Sequence, residues 1–123
     1  MTVTKHVDAE KKVTTFKIVG NVSFDEFRRL IYEYYQEDPT DFVIFDLREA
    51  GGQGEEFTHE KVYQLVNFVD SVRRGREKGK TALVANRDVH YGICSMIEGY
   101  MIDRKIEYKT FRHMKEAVEW LEE

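Results

Sequence analysis

The chain has 123 residues and a formal net charge of −4, and this length predicts one domain over residues 1–123. Hydrophobic residues make up 41% of the chain and aromatic residues 13%, which excludes a disordered protein. The acidic balance argues against a general nucleic-acid binder.

Signals for the cellular compartment are few. Cys94 is the only cysteine, so an intrachain disulfide is excluded and a reducing compartment fits. The first residues lack the apolar core of a signal peptide, and no apolar run approaches the roughly 20 residues of a membrane span. These features predict a cytoplasmic protein of bacterial type with no transmembrane segment.

The chain begins with two short β-type segments. Residues 3–7 and 13–19 flank the polar turn at residues 8–12, and this pattern predicts an antiparallel hairpin. The second segment alternates only mildly between apolar and polar residues, which predicts a strand that is well covered on one face only.

A first helix is predicted to begin after Ser23, which forms a capping-box pattern with Glu26. Pro39, the only proline, follows Asp38 and ends this helix. Its apolar face comprises Phe24, Phe27, Leu30, Ile31, Tyr34 and Tyr35.

Residues 42–47 form a continuous apolar run with one acid, which is typical of a central parallel strand. A glycine-rich loop at residues 51–56 follows, and Thr58 is predicted to cap a second helix. That helix ends in the basic segment 73–80, with five cations and one acid. We interpret this segment as a solvated helix end; the alternative is contact with an anionic membrane surface or an acidic partner.

The second half alternates strand and helix: residues 81–85, 88–102, 106–111 and 113–121. Such alternation predicts βαβ units and a parallel sheet. The whole order is therefore ββαβαβαβα, an α/β fold with a mixed sheet of five strands and an N-terminal antiparallel hairpin.

The third helix carries three further signals. Asp88 is a candidate N-cap. Gly92 and Gly99 lie inside the helix, where each glycine costs about 0.5–1 kcal/mol relative to alanine. Their presence indicates close backbone packing or a nearby ligand.

Four segments carry a family resemblance, and together they extend over nearly the whole chain. They are Phe45-Asp46-Leu47-Arg48, Ala82-Leu83-Val84-Ala85, Tyr91-Gly92-Ile93, and Phe111-Arg112 through Leu121. In this order the chain resembles the STAS domain of bacterial anti-anti-sigma factors, and more closely the SpoIIAA-like group of small stand-alone bacterial proteins.

The resemblance implies a SpoIIAA-like β-α superhelix and a non-enzymatic role, either binding a partner or holding a small apolar ligand. In phosphorylated STAS proteins the regulatory serine stands at the start of the helix that follows the Asp-Leu strand. Here the expected Asp-Ser-Ser-Gly type of segment is absent, and Thr58 is the only hydroxyl residue between Asp46 and Tyr63. The sequence therefore gives little support to regulation by phosphorylation.

Two groups of residues are candidate sites. The first is a loop that would bind a partner or ligand. The alternative is a plain turn, with Asp46 bonded to Arg48 or Arg87. A nucleotide is disfavoured because Glu55 and Glu56 would repel its phosphate groups. Its residues are Asp46, Arg48, Gly51, Gly52, Gly54 and Thr58. The second is an apolar pocket or interface, for which the alternative is ordinary core. Its residues are Tyr32, Tyr34, Tyr35, Tyr91, Tyr100 and Met101.

The sequence contains no motif that is typical of a catalytic site or a metal site. The four histidines lack metal-type spacing, and Cys94 on an apolar helix stripe reads as a buried structural thiol. We therefore predict no catalytic residues, no metal and no cofactor. Two functions remain: a regulatory domain that binds a protein partner or pairs as a homodimer, and a carrier or sensor of a lipid or small apolar ligand between helices.

Overall fold

The computed structural model describes residues 1–37, 39–73 and 79–123. The strands are β1 (Thr2–Asp8), β2 (Val13–Asn21), β3 (Phe42–Gly51), β4 (Lys80–Val84) and β5 (Glu107–Phe111). The helices are α1 (Phe24–Gln36), α2 (His59–Val72), α3 (Asp88–Met101) and α4 (Met114–Leu121). The order ββαβαβαβα is confirmed.

One sheet contains all five strands in the order β1-β2-β3-β4-β5. β1 pairs with β2 in antiparallel fashion, and every later pair is parallel. In the centre, Val43 lies beside Thr81 and Phe45 beside Leu83. The mixed sheet and the N-terminal hairpin predicted from the sequence are therefore confirmed.

Helices cover the two faces of the sheet unequally. The larger apolar cluster joins one face to α1, α2 and α3, whereas α4 packs on β3, β4 and β5 from the other side. In β2, Phe16 and Ile18 are buried under the three helices, but Lys17 and Val19 are exposed. The prediction that this strand is well covered on one face only is confirmed.

Side-chain caps fix two helix starts as predicted. The amide of Glu26 donates to Ser23 Oγ at 3.4 Å, and the amide of Lys61 donates to Thr58 Oγ1 at 3.2 Å. The prediction for the third helix is wrong, because Arg87 is the N-cap and Asp88 is the first helical residue.

The two glycines of α3 have no tightly packed surroundings. A Cβ atom built on Gly92 or on Gly99 meets nothing within 4 Å. Both residues lie on the exposed side of the helix, away from buried Cys94 and Ile97. The close packing predicted from these glycines is therefore wrong.

Two sequence features extend beyond the described residues. Asp38, part of the predicted stop of the first helix, lies outside them, as do residues 74–78 of the basic segment. At the ends of that segment, Arg73 Nε donates to Asp70 Oδ1 at 3.3 Å, and Lys80 Nζ donates to the carbonyl of Trp120 at 3.0 Å. Within the described ranges, every helix is too short or too polar to cross a membrane.

Candidate functional site

The candidate site lies where the central strand β3 ends and the chain crosses to α2. We call residues 51–58 the glycine loop; it runs from the end of β3 to the N-cap of α2. Because β3 and β4 are parallel, the loop lies at the same edge of the sheet as the start of α3. Ligands and partners of α/β proteins commonly bind at this edge.

Two side chains at the start of α3 hold the glycine loop by its backbone. Arg87 Nη1 donates to the carbonyl of Gly52 at 3.0 Å. His90 Nε2 lies 3.1 Å from the carbonyl oxygen of Gly51 and 3.1 Å from that of Gly52. Since carbonyl oxygens only accept hydrogen bonds, Nε2 carries the hydrogen and donates to both.

The inner side of the glycine loop is anchored in the core. Phe57 is buried, and its ring packs at 5.6 Å from Phe24 and 6.3 Å from Phe27. Its amide donates to the carbonyl of Gly54 at 2.9 Å. Gly54 has a φ of +72° and presses against the side chain of Ile93, so a side chain at this position would meet both strain and overlap.

The outer side of the glycine loop is polar and accessible. Gln53, Glu55 and Glu56 are exposed, and so is Thr58. The hydroxyl of Thr58 is engaged in capping α2. The loop thus combines a fixed backbone with an exposed row of polar side chains, an arrangement suited to contact with another macromolecule.

Asp46 and Arg48 form an ion pair in β3, just before the glycine loop. Arg48 Nε lies 2.9 Å from Asp46 Oδ1, and Nη2 lies 2.9 Å from Oδ2. Burial of the Asp46 carboxyl raises its pKa, but the hydrogen bonds and the charge of Arg48 outweigh this effect and hold the pKa below its ordinary value of 3.8. Asp46 is therefore a paired structural carboxylate; Arg87, the other partner considered from the sequence, binds the loop instead.

A small cavity of about 40 Å³ lies beneath the glycine loop. Apolar side chains from α3, from the sheet and from α1, together with Phe57 of the loop, form most of its wall. It is lined by Val22, Phe27, Leu47, Gly51, Gly54, Phe57, Leu83, His90, Ile93, Cys94 and Ile97. His90 Nδ1 is buried and has no hydrogen-bond partner among the described residues.

Cys94 lies one helical turn after His90 on the same side of α3 and also lines this cavity. Burial, with a smaller effect from the charge of Glu98, raises the pKa of its thiol to about 12. The thiol therefore stays protonated at neutral pH, and it lacks the lowered pKa of a reactive cysteine.

The six residues predicted as an apolar pocket or interface do not come together, because α2 packs between α1 and α3. Tyr34 and Tyr35 are buried with ring centroids 4.9 Å apart, and Met101 is buried in the core beneath α3. Exposed Tyr32 lies 6.4 Å from the ring of Phe68.

The two tyrosines of α3 lie in separate surroundings. Tyr91 lies beneath the guanidinium of Arg112 at 4.0 Å, and Tyr100 packs 5.7 Å from Tyr63. Part of the aromatic surface on the outer side of the three-helix layer therefore stays accessible, at Tyr32, Tyr63 and Tyr100. None of these tyrosines lines the cavity beneath the glycine loop.

Sequence reasoning missed the role of Arg87 and His90 in holding the glycine loop. Both residues lie more than 30 positions from their carbonyl partners along the chain. One signal was present in the sequence: His90 precedes Cys94 and Ile97 at helical spacing, so a polar ring stands in an apolar helix stripe.

No family model matches the chain, and no curated protein matches it in sequence. Among solved structures, the crystal structure of an anti-sigma factor antagonist from Mycobacterium paratuberculosis is similar, with a TM-score of 0.60. The match covers 99% of this chain and 96% of that chain, at 12% sequence identity. The STAS or SpoIIAA-like fold predicted from the sequence is confirmed by this likeness.

Proposed function

We propose that this protein is a non-enzymatic regulatory domain of the bacterial cytoplasm that binds a protein partner through the exposed side of the glycine loop. The observation that carries this proposal is the double hydrogen bond from His90 to the carbonyls of Gly51 and Gly52, supplemented by Arg87. A backbone that is fixed before binding loses little conformational entropy when a partner docks. The similar solved protein is named as an antagonist of anti-sigma factors, and this supports a regulatory role.

The chemistry of the ionisable groups near the loop also favours binding over catalysis. Asp46 is neutralised by Arg48, and the Cys94 thiol is held protonated. Thr58 is engaged in a helix cap. A catalytic site needs a nucleophile or acid hydrogen-bonded to a general base; among the described residues, neither the Cys94 thiol nor the Thr58 hydroxyl makes such a bond, and Asp46 is bonded to Arg48.

Cavity sizes favour protein contact over lipid carriage. The space beneath the glycine loop measures about 40 Å³, far below the roughly 300 Å³ or more of ordinary ligand pockets. A larger groove of about 600 Å³ lies between the hairpin and α4, on the opposite face of the sheet from the three helices. Charged side chains from the hairpin turn and from the end of the chain line part of this groove, so it does not suit an apolar ligand. The exposed aromatic surface at Tyr32, Tyr63 and Tyr100 is a second surface on the three-helix side that would suit contact with a protein. A second copy of this chain is one such partner.

Affinity capture from a bacterial extract with matched variants tests the proposal. One variant carries Glu55→Lys and Glu56→Lys on the exposed loop; the control carries Glu116→Lys and Glu119→Lys on the exposed side of α4, with the same change in charge. We expect the wild type and the α4 control to retain the same proteins, and the loop variant to lose at least one of them. If the loop variant retains every protein that the control retains, the glycine loop is not the binding surface. Native mass spectrometry of each variant reports on homodimers.

A further inference from the structure

Strand β1 is an open edge of the sheet, whereas the opposite edge is covered by a helix. β1 pairs with β2 along its whole length of 7 residues, and no strand of the described chain pairs with its other side. At the opposite edge, α3 packs against β5, and the Glu98 carboxylate accepts a hydrogen bond from the Thr110 amide at 2.6 Å. Since an open edge strand is a template for pairing with another strand, β1 is the edge available for this.

The hydrogen bonds of β2 indicate which backbone groups of β1 point outward. The amide of Phe42 in β3 donates to the carbonyl of Lys12 at 3.1 Å, so the even-numbered residues at the start of β2 face β3 and the odd-numbered residues face β1. These odd-numbered residues lie opposite the even-numbered residues of β1, which therefore bond within the hairpin. The amides and carbonyls that point away from the sheet belong to Val3, Lys5 and Val7.

This edge is fixed in place and exposed. At the hairpin turn, Asp8 Oδ1 accepts the Lys11 amide at 3.0 Å, and Lys5 Nζ donates to Glu37 Oε2 of α1 at 3.2 Å. The side chains of residues 4–7 are exposed, and Val7, at 47% exposure, is one of the few large apolar side chains left without cover. A strand that is already ordered loses little conformational entropy when another strand pairs with it.

We infer that β1 is a homodimer interface, at which β1 of a second copy of this chain pairs in antiparallel orientation about a two-fold axis at Lys5. This alignment allows about six hydrogen bonds between the outward-pointing groups of the two strands, whereas a shift by two residues leaves about four. It also places Val3 opposite Val7 of the second copy, so each exposed Val7 gains an apolar neighbour. Because the β5 edge is covered, the assembly closes at two copies.

Two features limit the strength of this pairing. The two Lys5 side chains lie directly opposite each other at the axis, and like charges in that position oppose pairing. Each Lys5 is bonded to Glu37 of its own chain, which offsets part of the repulsion. A single pair of strands also buries a small area, which is typical of weak and reversible association. This inference goes beyond the proposed function, because it uses neither the glycine loop nor the exposed aromatic surface.

Two substitutions of Lys5 with opposite expected effects test the inference by sedimentation equilibrium over a wide range of protein concentration. Lys5→Thr removes the like charges and should tighten the dimer about two- to fivefold, which is the effect of one cross-strand pair. Lys5→Pro removes an outward N–H group that makes no bond within the hairpin, so it should abolish the dimer while circular dichroism shows the native fold. The inference is overturned if the wild type is monomeric throughout, or if Lys5→Pro dimerises as the wild type does.

Disulfide cross-linking tests the alignment and remains decisive if Lys5→Pro does not fold. Thr4 would lie opposite His6 of the second copy, with Cα atoms about 4.5 Å apart, which is within reach of a disulfide. A mixture of Thr4→Cys and His6→Cys should therefore give mixed disulfide dimers, whereas either variant alone should give few. Cys94 is buried and does not compete. Cross-linking that is as efficient within one variant as between the two would contradict the proposed pairing.

The loop variant with Glu55→Lys and Glu56→Lys separates this inference from the proposed function. We expect it to dimerise as the wild type does, because the substitutions lie outside β1. Loss of the dimer in this variant would move the interface to the glycine loop and overturn the inference. A failure of the affinity capture leaves the dimer intact, and a monomeric wild type leaves the affinity capture unaffected.

Discussion

Gly54 and Ile93 are in direct contact, and a methyl group added to Gly54 would overlap Cδ1 of Ile93. This contact joins the glycine loop to α3 at a point where the backbone of Gly54 also has a φ of +72°. A residue with a Cβ atom would therefore meet steric overlap and backbone strain together. The backbone conformation favours glycine most strongly, because the end of the Ile93 side chain can move aside whereas the φ of Gly54 is fixed by the loop.

We expect Gly54→Ala to lower the free energy of unfolding by about 1–3 kcal/mol, mainly because alanine is strained at a φ of +72°, with a smaller cost for displacing the end of the Ile93 side chain. Urea denaturation would measure the change. In an Ile93→Val background, which removes the overlapping Cδ1 atom, the same substitution should cost less. Equal costs in the two backgrounds would show that the contact with Ile93 is not the cause.

For the two glycines of α3 we expect alanine to stabilise the protein rather than destabilise it. Gly92→Ala and Gly99→Ala should each raise the free energy of unfolding by about 0.5–1 kcal/mol, because alanine favours the helix and the added methyl group faces open space. Thermal unfolding should shift upward by about 2–4 °C for each substitution. A fall in melting temperature would mean that these positions are packed against something.

The ion pair between Asp46 and Arg48 predicts a dependence of stability on pH. The pKa of Asp46 lies below its ordinary value of 3.8 in the folded protein. The pair therefore contributes stability above that value, and the contribution is lost as the pH falls through the folded-state pKa. At pH 7 we expect Asp46→Asn to lower the free energy of unfolding by about 1–2 kcal/mol.

Urea denaturation at pH 7 and pH 3 would test this, since the difference between wild type and Asp46→Asn should shrink at the lower pH. The exposed pair of Lys17 and Glu49 provides the control. Glu49→Gln should change stability little at either pH, because exposed ion pairs are well screened by solvent. A difference that stays constant from pH 7 to pH 3 would rule out the charge of Asp46 as its source.

The N-cap of α2 can be tested with a conservative pair of substitutions. Thr58→Ala should lower the free energy of unfolding by about 1 kcal/mol, because it removes the acceptor for the Lys61 amide. Thr58→Ser should retain most of the stability, since it keeps the hydroxyl. If both variants are equally destabilised, packing of the threonine methyl group matters more than the cap.

Local patterns in the sequence predicted the element order, the sheet and two helix caps. Alternation along residues 13–19 and the apolar run at residues 42–47 report directly on which strand faces are buried. The capping hydroxyls of Ser23 and Thr58 act within a single helical turn. Such features depend on neighbours a few residues away, so they can be read without the fold.

The arrangement of the candidate site could not be predicted in the same way. The contacts of His90 with Gly51 and Gly52 join segments that only the parallel packing of β3 and β4 brings together. The tyrosines of α1 and α3 could have shared a pocket, but α2 lies between those helices. The spacing of residues along one helix does not predict which other helix packs beside it.

The protonated thiol of Cys94 predicts slow chemical modification. Burial, followed by the charge of Glu98, raises its pKa to about 12, so the reactive thiolate is scarce at neutral pH, and the residue is only 3% exposed. We expect a disulfide reagent to label the native protein far more slowly than the protein unfolded in guanidinium chloride.

Gly54→Ala, which disturbs the loop above Cys94, should increase the native labelling rate, whereas Gly92→Ala should not. Rapid labelling of the wild type would mean that the cavity beneath the glycine loop opens readily, and that His90 and Arg87 do not hold its cover in place.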